Sequence, residues 1–300
     1  MNPTLKHFAE GALVRSGITR LARRARRGHT LVLAYHNVLP DGDTIAGDKN
    51  LHLPQKEFAL QLDVVSETHE AVSIEAIGCV SPLSNRPRVV ITFDDAYAGA
   101  LTAGVEELEK RGMPATIFVA PALIDSVSWW DILAEQTDGA IAGDLRRHVL
   151  ESLGGNADSV LRWADSTFTI SRSNPNLPRI GNMAQLTAAA SRPGVTIGSH
   201  SWSHPNLCAL RDPDLGTELR RSDQWLRSQF SCVVPWLSYP YGLYNASVKR
   251  AIAKAGYRGA FRIDGGWVRS SASLPSYALP RLSIPSGLSL NGFRLRLAGL

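Results

Sequence analysis

Four residues carry the chemistry of this sequence: two adjacent carboxylates and two imidazoles spaced four apart, each pair directly after a short apolar run. They are Asp94, Asp95, His200 and His204. Carboxylate oxygens and neutral imidazole nitrogens are common ligands of zinc-class divalent ions. Neighbouring side chains at a strand end point differently, so one carboxylate can bind an ion while the other addresses a water beside it. One aspartate with two histidines leaves coordination positions open, as catalytic metal sites do.

Each of these features also has a structural interpretation. An Asp pair at a strand end can cap the following helix, and a single histidine there is more often structural. The histidine pair converges on one ion if residues 200–204 turn helically. Cys208 continues the four-residue spacing, but its apolar neighbours are typical of a small buried cysteine, so we leave it out of the site.

A third segment, Trp236–Gly242, predicts a rigid aromatic turn before a helix. Pro240 fixes one φ angle and Gly242 permits an unusual one. Such a turn can aim a backbone N–H at a substrate. The alternative is a plain strand-to-helix turn whose rings pack inward.

Together the three segments resemble the polysaccharide deacetylase family, the NodB-homology carbohydrate esterases. The resemblance rests on Thr92-Phe-Asp-Asp95, His200-Ser-Trp-Ser-His-Pro205 and Pro240-Tyr-Gly242, in that order. It covers roughly residues 30 to 285 and implies an α/β fold, an irregular (β/α)₇ barrel with a divalent metal at its mouth.

The resemblance also implies roles for individual residues. Asp94 is expected to be the general base, and Asp95, His200 and His204 the metal ligands. The backbone N–H of Tyr241 is expected to supply the oxyanion hole. One divalent metal ion is expected, with zinc the first choice, although this ligand set also suits nickel or cobalt.

Two departures from the family pattern affect the site. Ser238 stands where many members have an arginine that holds the catalytic aspartate, and Arg281 is the expected substitute. No histidine follows His204, so the family's usual general acid is missing. Tyr35-His-Asn-Val38 resembles the opening of the exopolysaccharide branch, and His36 within it could serve instead. The other interpretation of His36 is a buried histidine bonded to a neighbouring loop.

The expected reaction is hydrolysis of N-acetyl groups on amino sugars of a polysaccharide or its precursor, with release of acetate. Trp202, Tyr239 and Trp267 are predicted to stack on sugar faces, against the alternative of ordinary core or rim packing. One rival function is deacetylation of a small or lipid-linked sugar. Another is a carbohydrate-binding protein that has lost catalysis.

Alternating strand and helix patterns must position these residues. Helical periodicity and stop signals lie between short apolar runs, which predicts repeated βα units in an α/β barrel or a wound sheet. Residues 125–190 interrupt the rhythm and are interpreted as a helical insertion that shapes substrate access or caps the core. The predicted strands are 30–35, 88–93, 115–119, 195–198 and 259–263, and the predicted helices are 97–111, 212–228 and 245–256.

The charge of the chain is concentrated at its N-terminus. Residues 1–30 hold seven Lys or Arg against one Glu, which leaves 25 basic and 26 acidic residues for the predicted catalytic domain, 31–300. A nucleic-acid surface is therefore not expected. Val14, Ile18, Leu21 and Ala25 recur at helical spacing, which predicts a basic amphipathic helix weakened by Gly17. It either docks on an anionic membrane or leans on the domain.

Cysteine content and hydropathy bear on the compartment. Cys79, Cys208 and Cys232 are far apart and odd in number, which disfavours a disulfide framework. No apolar run reaches the roughly 18 residues of a membrane span, and no signal peptide is recognised. We expect a cytoplasmic protein. Peripheral contact with the inner membrane face through the basic N-terminal arm, residues 1–30, is the open alternative.

Overall fold

The computed structural model describes residues 3–44, 46–79, 86–168, 174–269 and 276–300. Every predicted strand is present, with its ends shifted by at most two residues. The strands are β1 (His29–Tyr35), β2 (Asn37–Leu39), β3 (His52–Pro54), β4 (Glu70–Ala71), β5 (Arg88–Phe93), β6 (Ala115–Val119), β7 (Val195–Ser199), β8 (Val233–Ser238), β9 (Gly259–Phe261), β10 (Trp267–Arg269), β11 (Ser276–Leu279) and β12 (Leu282–Ser283).

Helices fill the connections between the strands. The predicted helix 97–111 contains a π-helical turn, Ala100–Gly104, ahead of its regular part. The helices are α1 (Pro3–Arg15), α2 (Ile18–Ala25), α3 (Gln55–Thr68), α4 (Val105–Glu109), α5 (Trp129–Ala134), α6 (Gly143–Arg147), α7 (Ala157–Thr167), α8 (Met183–Ala190), α9 (Asp214–Gln229), α10 (Ala246–Lys254) and α11 (Leu290–Ala298).

The main sheet is a nearly closed barrel of parallel strands. Its order is β10-β1-β5-β6-β7-β8-β9-β11, and every neighbouring pair is parallel except β1 with β10. β12 pairs with β1, so Pro280 and Arg281 lie where the chain passes from one barrel edge to the other. The seven parallel strands along this path confirm the predicted irregular (β/α)₇ barrel.

Parallel strands covered by helices are apolar on both faces, because water reaches neither. All five residues of β6 are buried, as are the last five residues of β5. The core side chains Ile91, Ile117 and Ile197 are inaccessible to solvent. The strands are therefore rigid supports for whatever follows their carboxyl ends.

The segment predicted as an insertion carries helices α5 to α8. The sequence also predicts a Ser-Asn-Pro loop near residues 171–178 of this segment; residues 174–178 are described, and residues 171–173 lie outside the described residues. α8 packs on β7 through Leu186 and Ala189, whereas Trp129 and Trp130 of α5 face the barrel mouth. No helix among the described residues is long and apolar enough to cross a membrane.

Candidate active site

Asp94 is held in place by an arginine from the other end of the sequence. Both terminal guanidinium nitrogens of Arg281 donate to its carboxylate, with Nη1–Oδ1 and Nη2–Oδ2 distances of 2.7 Å. Ser238 Oγ accepts from Arg281 Nη2 at 2.7 Å and donates to Asp94 Oδ2 at 3.1 Å. Burial disfavours the charged carboxylate, but the positive charge of Arg281 outweighs it and holds the pKa of Asp94 well below its usual range. Asp94 is therefore a fixed, ionised acceptor.

Asp95, His200 and His204 converge on one point beside it, and one ligand atom from each lies within 4.8 Å of the other two. Asp95 Oδ1 is 3.5 Å from His200 Nε2 and 3.3 Å from His204 Nε2, and the two Nε2 atoms are 3.1 Å apart. Asp94 Oδ2 is farther away, at 4.0 Å from His200 Nε2. The structure thus separates the two adjacent carboxylates, one within the cluster and one at its edge.

The polar atoms of this cluster suit a cation. His200 Nδ1 lies 2.8 Å from the Ser238 carbonyl and donates to it, which leaves a lone pair on Nε2 facing the cluster. Asp95 Oδ1 is buried without a hydrogen-bond donor among the described residues. Burial and the charges of Asp94 and Asp131 raise the pKa of Asp95 well above its usual range. A divalent ion would satisfy these facing acceptors, so the residues present fit the expected metal.

The two histidines do not converge through a helical turn, and that part of the sequence prediction is wrong. Residues 200–206 form a loop in which Ser201 and His204 adopt left-handed backbone conformations, with φ of 64° and 57°. Ser201 Oγ accepts the His204 N–H at 3.1 Å. Glu218 of α9 accepts the N–H groups of Trp202 and Ser203 at 3.0 and 2.9 Å. Side chains thus supply the hydrogen bonds that a helix would have made within its backbone.

Tyr241 and Tyr239 both reach the site. Tyr241 has a left-handed φ of 58°, a conformation that costs energy for a non-glycine residue and concentrates at functional sites. Its hydroxyl donates towards the carbonyls of Gly155 and His204, each at 3.0 Å, and its ring packs 4.6 Å from the His204 ring. Tyr239 is fully buried and its hydroxyl donates to the Tyr277 carbonyl at 2.7 Å.

A cavity of about 300 Å³ opens over the cluster, and His36 lies in its wall. Burial lowers the pKa of His36 to about 4, against the opposing effect of the Asp94 carboxylate. The structure thus brings His36 to the barrel mouth rather than into a neighbouring loop. The cavity is lined by His36, Asp48, Leu51, Asp94, Asp95, Trp129, Trp130, Arg146, His200, His204, Tyr239, Tyr241, Gly242, Ile263 and Ser283.

A buried polar network behind this cavity was missed by the sequence analysis. Asp131 Oδ1 lies 2.8 Å from His52 Nε2, and Oδ2 accepts from Tyr97 at 2.6 Å and from Ser128 at 2.5 Å. Trp130 Nε1 donates to Tyr97 at 2.7 Å, and the Trp130 ring packs 4.9 Å from the ring of His204. The network therefore fixes an aromatic wall against a candidate metal ligand. Trp129-Trp130-Asp131 was its only sequence signal, because the partners His52 and Tyr97 lie on other elements.

Two predicted sugar-stacking residues lie elsewhere. Trp267 is in β10, paired with Leu31 near the start of β1, and it contacts His69 and Arg26. That is the end of the barrel opposite the catalytic mouth, so its prediction as a substrate residue is wrong. The Trp202 ring is covered by the Arg221 guanidinium at 3.8 Å and does not line the cavity. Its neighbour in sequence, Ser201, turns the loop so that this side chain packs on α9.

Fold and site together define a barrel hydrolase centred on an arginine-held aspartate and an Asp-His-His ligand set. Residues 83–260 match the family described as polysaccharide deacetylase. The match covers more than half of the chain and spans Asp94, Asp95, both histidines and Tyr241. The chain therefore belongs to the polysaccharide deacetylase family, and its barrel is of the NodB-homology type.

Individual relatives agree with this assignment. The chain is 23% identical over 266 residues to a Bacillus subtilis (strain 168) protein named "Putative polysaccharide deacetylase YxkH", covering 87% of this chain and 74% of that protein. IcaB from Ammonifex degensii has a TM-score of 0.60 at 15% identity, over 91% of this chain and 96% of IcaB. The Streptococcus pyogenes deacetylase PplD, solved in complex with acetate, has a TM-score of 0.59 at 18% identity, over 88% of this chain and 96% of PplD.

Proposed function

We propose that this protein is a metal-dependent deacetylase that hydrolyses N-acetyl groups on amino sugars of a polysaccharide or its precursor. The observation that carries the proposal is the pairing of a buried Asp-His-His cluster with a separately held, ionised Asp94 at the mouth of one cavity. PplD, a deacetylase of similar fold, is solved with acetate, the product that such a reaction releases. A binding protein without catalysis would need neither the ligand cluster nor the arginine clamp.

Asp95, His200 and His204 would hold the ion. When bound, a zinc-class ion acidifies water and polarises the acetyl oxygen. The Ser238 carbonyl fixes the tautomer and the orientation of the His200 ring, and Trp130 and Tyr241 pack against the ring of His204. Such supporting contacts keep ligands in place through the reaction cycle.

Asp94 would act as the general base. It lies at the edge of the cluster, within reach of a water directed at the acetyl carbon, and Arg281 keeps it ionised. Arg281 and Ser238 also fix its orientation, because together they occupy both carboxylate oxygens. Arg281 is thus proposed as a positioning residue that acts through Asp94.

Collapse of the tetrahedral species breaks the carbon–nitrogen bond and requires a proton on the departing amine. The Tyr241 N–H would donate to the oxyanion, a contribution on the order of 10²-fold in rate. His36 is proposed to deliver the proton to the nitrogen. With its pKa lowered to about 4, its ring is neutral at pH 7 before the reaction. Asp94 would pass the proton it takes from water to His36, and His36 would deliver that proton to the departing amine, which closes the proton balance.

Acetate release from a panel of acetylated glycans tests the proposal. The panel contains N-acetylglucosamine oligomers of increasing length, a lipid-linked N-acetylated sugar and an O-acetylated oligosaccharide, each assayed with chelated and with metal-reloaded enzyme. We expect metal-dependent release from the N-acetylated oligomers. Release from none of the panel would refute the proposal, and release from the lipid-linked sugar alone would replace the polysaccharide by that substrate.

Asp95→Ala should abolish both metal binding and acetate release. Asp48→Asn is the matched control for metal binding, because Asp48 is a carboxylate of the same cavity outside the ligand cluster. The control should retain the ion. Loss of the ion in both variants would mean that the cavity binds cations through its overall negative charge rather than through the Asp-His-His set.

A further inference from the structure

The two N-terminal helices leave their apolar side chains in solvent. Of the eight large hydrophobic side chains that are exposed among the described residues, five lie on α1 and α2 or beside them, and Phe8 and Leu21 are 69% and 65% exposed. The five are Leu5, Phe8, Leu13, Ile18 and Leu21. A monomeric soluble protein rarely concentrates its exposed apolar side chains in one place, and such a patch commonly marks an interaction surface.

These helices pack on the domain through polar and small residues instead. Glu10 accepts a hydrogen bond from Ser289, and Gly11 lies close to the Asn291 side chain. Arg26 Nη1 donates to the Ala298 carbonyl at 2.8 Å. Amphipathic helices normally turn their apolar stripe towards the core. Here the large apolar side chains stay exposed while the helices are anchored, so packing within the chain does not explain their position.

Positive charge accompanies the apolar residues along both helices, and of these cations Lys6 pairs with Glu10 at 3.9 Å. The exposed basic residues of the two helices and the turns beside them are Lys6, Arg15, Arg20, Arg24 and Arg27. Arg20, Arg23, Arg24 and Arg27 form no ion pair with a carboxylate of the described residues, and they line one cavity of about 190 Å³. Among the described residues, Glu67 is the only carboxylate that lines this cavity, and it pairs with Arg294 at 3.2 Å. Burial and the charges of Arg294 and Arg20 lower the pKa of Arg23.

We infer that this N-terminal surface, the five apolar and five exposed basic side chains named above, docks the protein on an anionic phospholipid bilayer. The apolar side chains would enter the headgroup boundary and the arginines would contact lipid phosphates, as in other interfacial helices. A soluble polyanion would use the arginines but would give no role to Phe8 and Leu21. The combination of both features favours a membrane.

Docking would leave the catalytic mouth open. Thr68 and Pro87, which line the arginine cavity, lie just before strands β4 and β5, and Arg26 covers the Trp267 ring near the start of β1. The arginines thus lie at the amino ends of the barrel strands. Asp94 and His200 follow the carboxyl ends of the strands. A strand of seven residues is about 20 Å long, so the two ends of the barrel are separated by about that distance. A glycan extending from the membrane could therefore still enter the cavity.

Vesicle co-sedimentation tests this inference without reference to deacetylation. The full chain is mixed with phosphatidylcholine vesicles containing about one third phosphatidylglycerol, and with pure phosphatidylcholine vesicles as the neutral control. We expect binding to the anionic vesicles only, weakening as salt is raised from about 0.1 to 1 M because the Debye length falls from about 10 to 3 Å. No binding to anionic vesicles at low salt would overturn the inference.

Two sets of variants separate the contribution of the arginines to vesicle binding from that of the apolar side chains. Replacing Arg20, Arg24 and Arg27 by Gln should lower the partition coefficient about 10²-fold, at about fivefold for each charge. Phe8→Ser with Leu21→Ser should lower it at least tenfold. Leu60→Ser and Arg250→Gln alter an exposed leucine and an exposed arginine outside the surface, and they should leave binding unchanged.

All variants should keep the thermal unfolding temperature and the acetate release from soluble substrate, because none of the altered side chains lies in the catalytic cavity. In the Phe8→Trp variant, brominated anionic lipids should quench the fluorescence of the introduced tryptophan more than they quench the wild-type fluorescence. Absence of that quenching would overturn the inference. Equal vesicle binding by the wild type and the Phe8→Ser, Leu21→Ser variant, together with competition by soluble heparin, would also overturn it, because the surface would then bind a polyanion and not a membrane.

Discussion

The clamp between Arg281 and Asp94 makes a quantitative prediction. Arg281 is inaccessible to solvent, and both of its terminal guanidinium nitrogens donate to one carboxylate at 2.7 Å. Arg281→Met keeps most of the side-chain volume but leaves Asp94 as a buried charge without its cation. Breaking a buried pair in this way costs about 3–5 kcal/mol of unfolding free energy. Because Asp94 also loses its fixed orientation, kcat should fall at least about 10²-fold, as expected when a general base is displaced.

A double-variant cycle distinguishes the clamp from simple packing. Adding Asp94→Asn to Arg281→Met removes the uncompensated charge, so the double variant should be more stable than Arg281→Met alone. Ser238→Ala is the matched control, because it removes one neutral partner of the same carboxylate and should cost only about 1 kcal/mol. Urea denaturation and acetate release measure the two effects. An Arg281→Met enzyme with wild-type kcat, or a double variant less stable than either single one, would refute the reasoning.

The remaining predictions concern the two carboxylates, the proton donor and a histidine far from the site. Asp94→Asn should keep bound metal while losing turnover, and Asp95→Asn should lose the metal; the opposite result by elemental analysis would show that the two roles are exchanged. His36→Ala should cut kcat about 10²- to 10⁴-fold with metal content and melting temperature nearly unchanged, and a fully active variant would remove it from the mechanism. Burial lowers the pKa of His69 to about 3. Since the unfolded chain binds this proton near pH 6.5 and the folded chain does not, His69 should lower stability by about 1.4 kcal/mol per pH unit as pH falls from about 6 to 3. That slope should be absent in His69→Leu. It should be retained in the control His7→Leu, because His7 is exposed. An unchanged slope in His69→Leu would contradict the prediction.

The sequence predicted the parts of the site that follow from strand polarity. Asp94 and His200 each come directly after a buried parallel strand, and the carboxyl ends of such strands share one edge of a barrel. Their proximity therefore needed only the strand assignment. Arg281 was foreseen through the family pattern and not through spacing, since it lies 187 residues from Asp94 in the chain.

What the sequence could not predict depended on side-chain direction across distant elements. The Asp131 network joins His52 and Tyr97, which share no periodic pattern with it. Trp267 was misplaced because its residue type does not indicate which end of a strand it occupies, and β10 runs antiparallel to β1. The left-handed backbone at Ser201 had no sequence signal either, since serine rarely adopts that conformation.

The measurement closest to the central claim couples metal content to acetate release in the purified protein. We expect one divalent ion per chain by elemental analysis, loss of both the ion and acetate release after chelation, and recovery of both when zinc, cobalt or nickel is restored. Asp95→Ala should bind no ion and release no acetate under the same conditions. Full acetate release by metal-free protein, or by Asp95→Ala, would contradict metal-dependent catalysis at the Asp-His-His cluster.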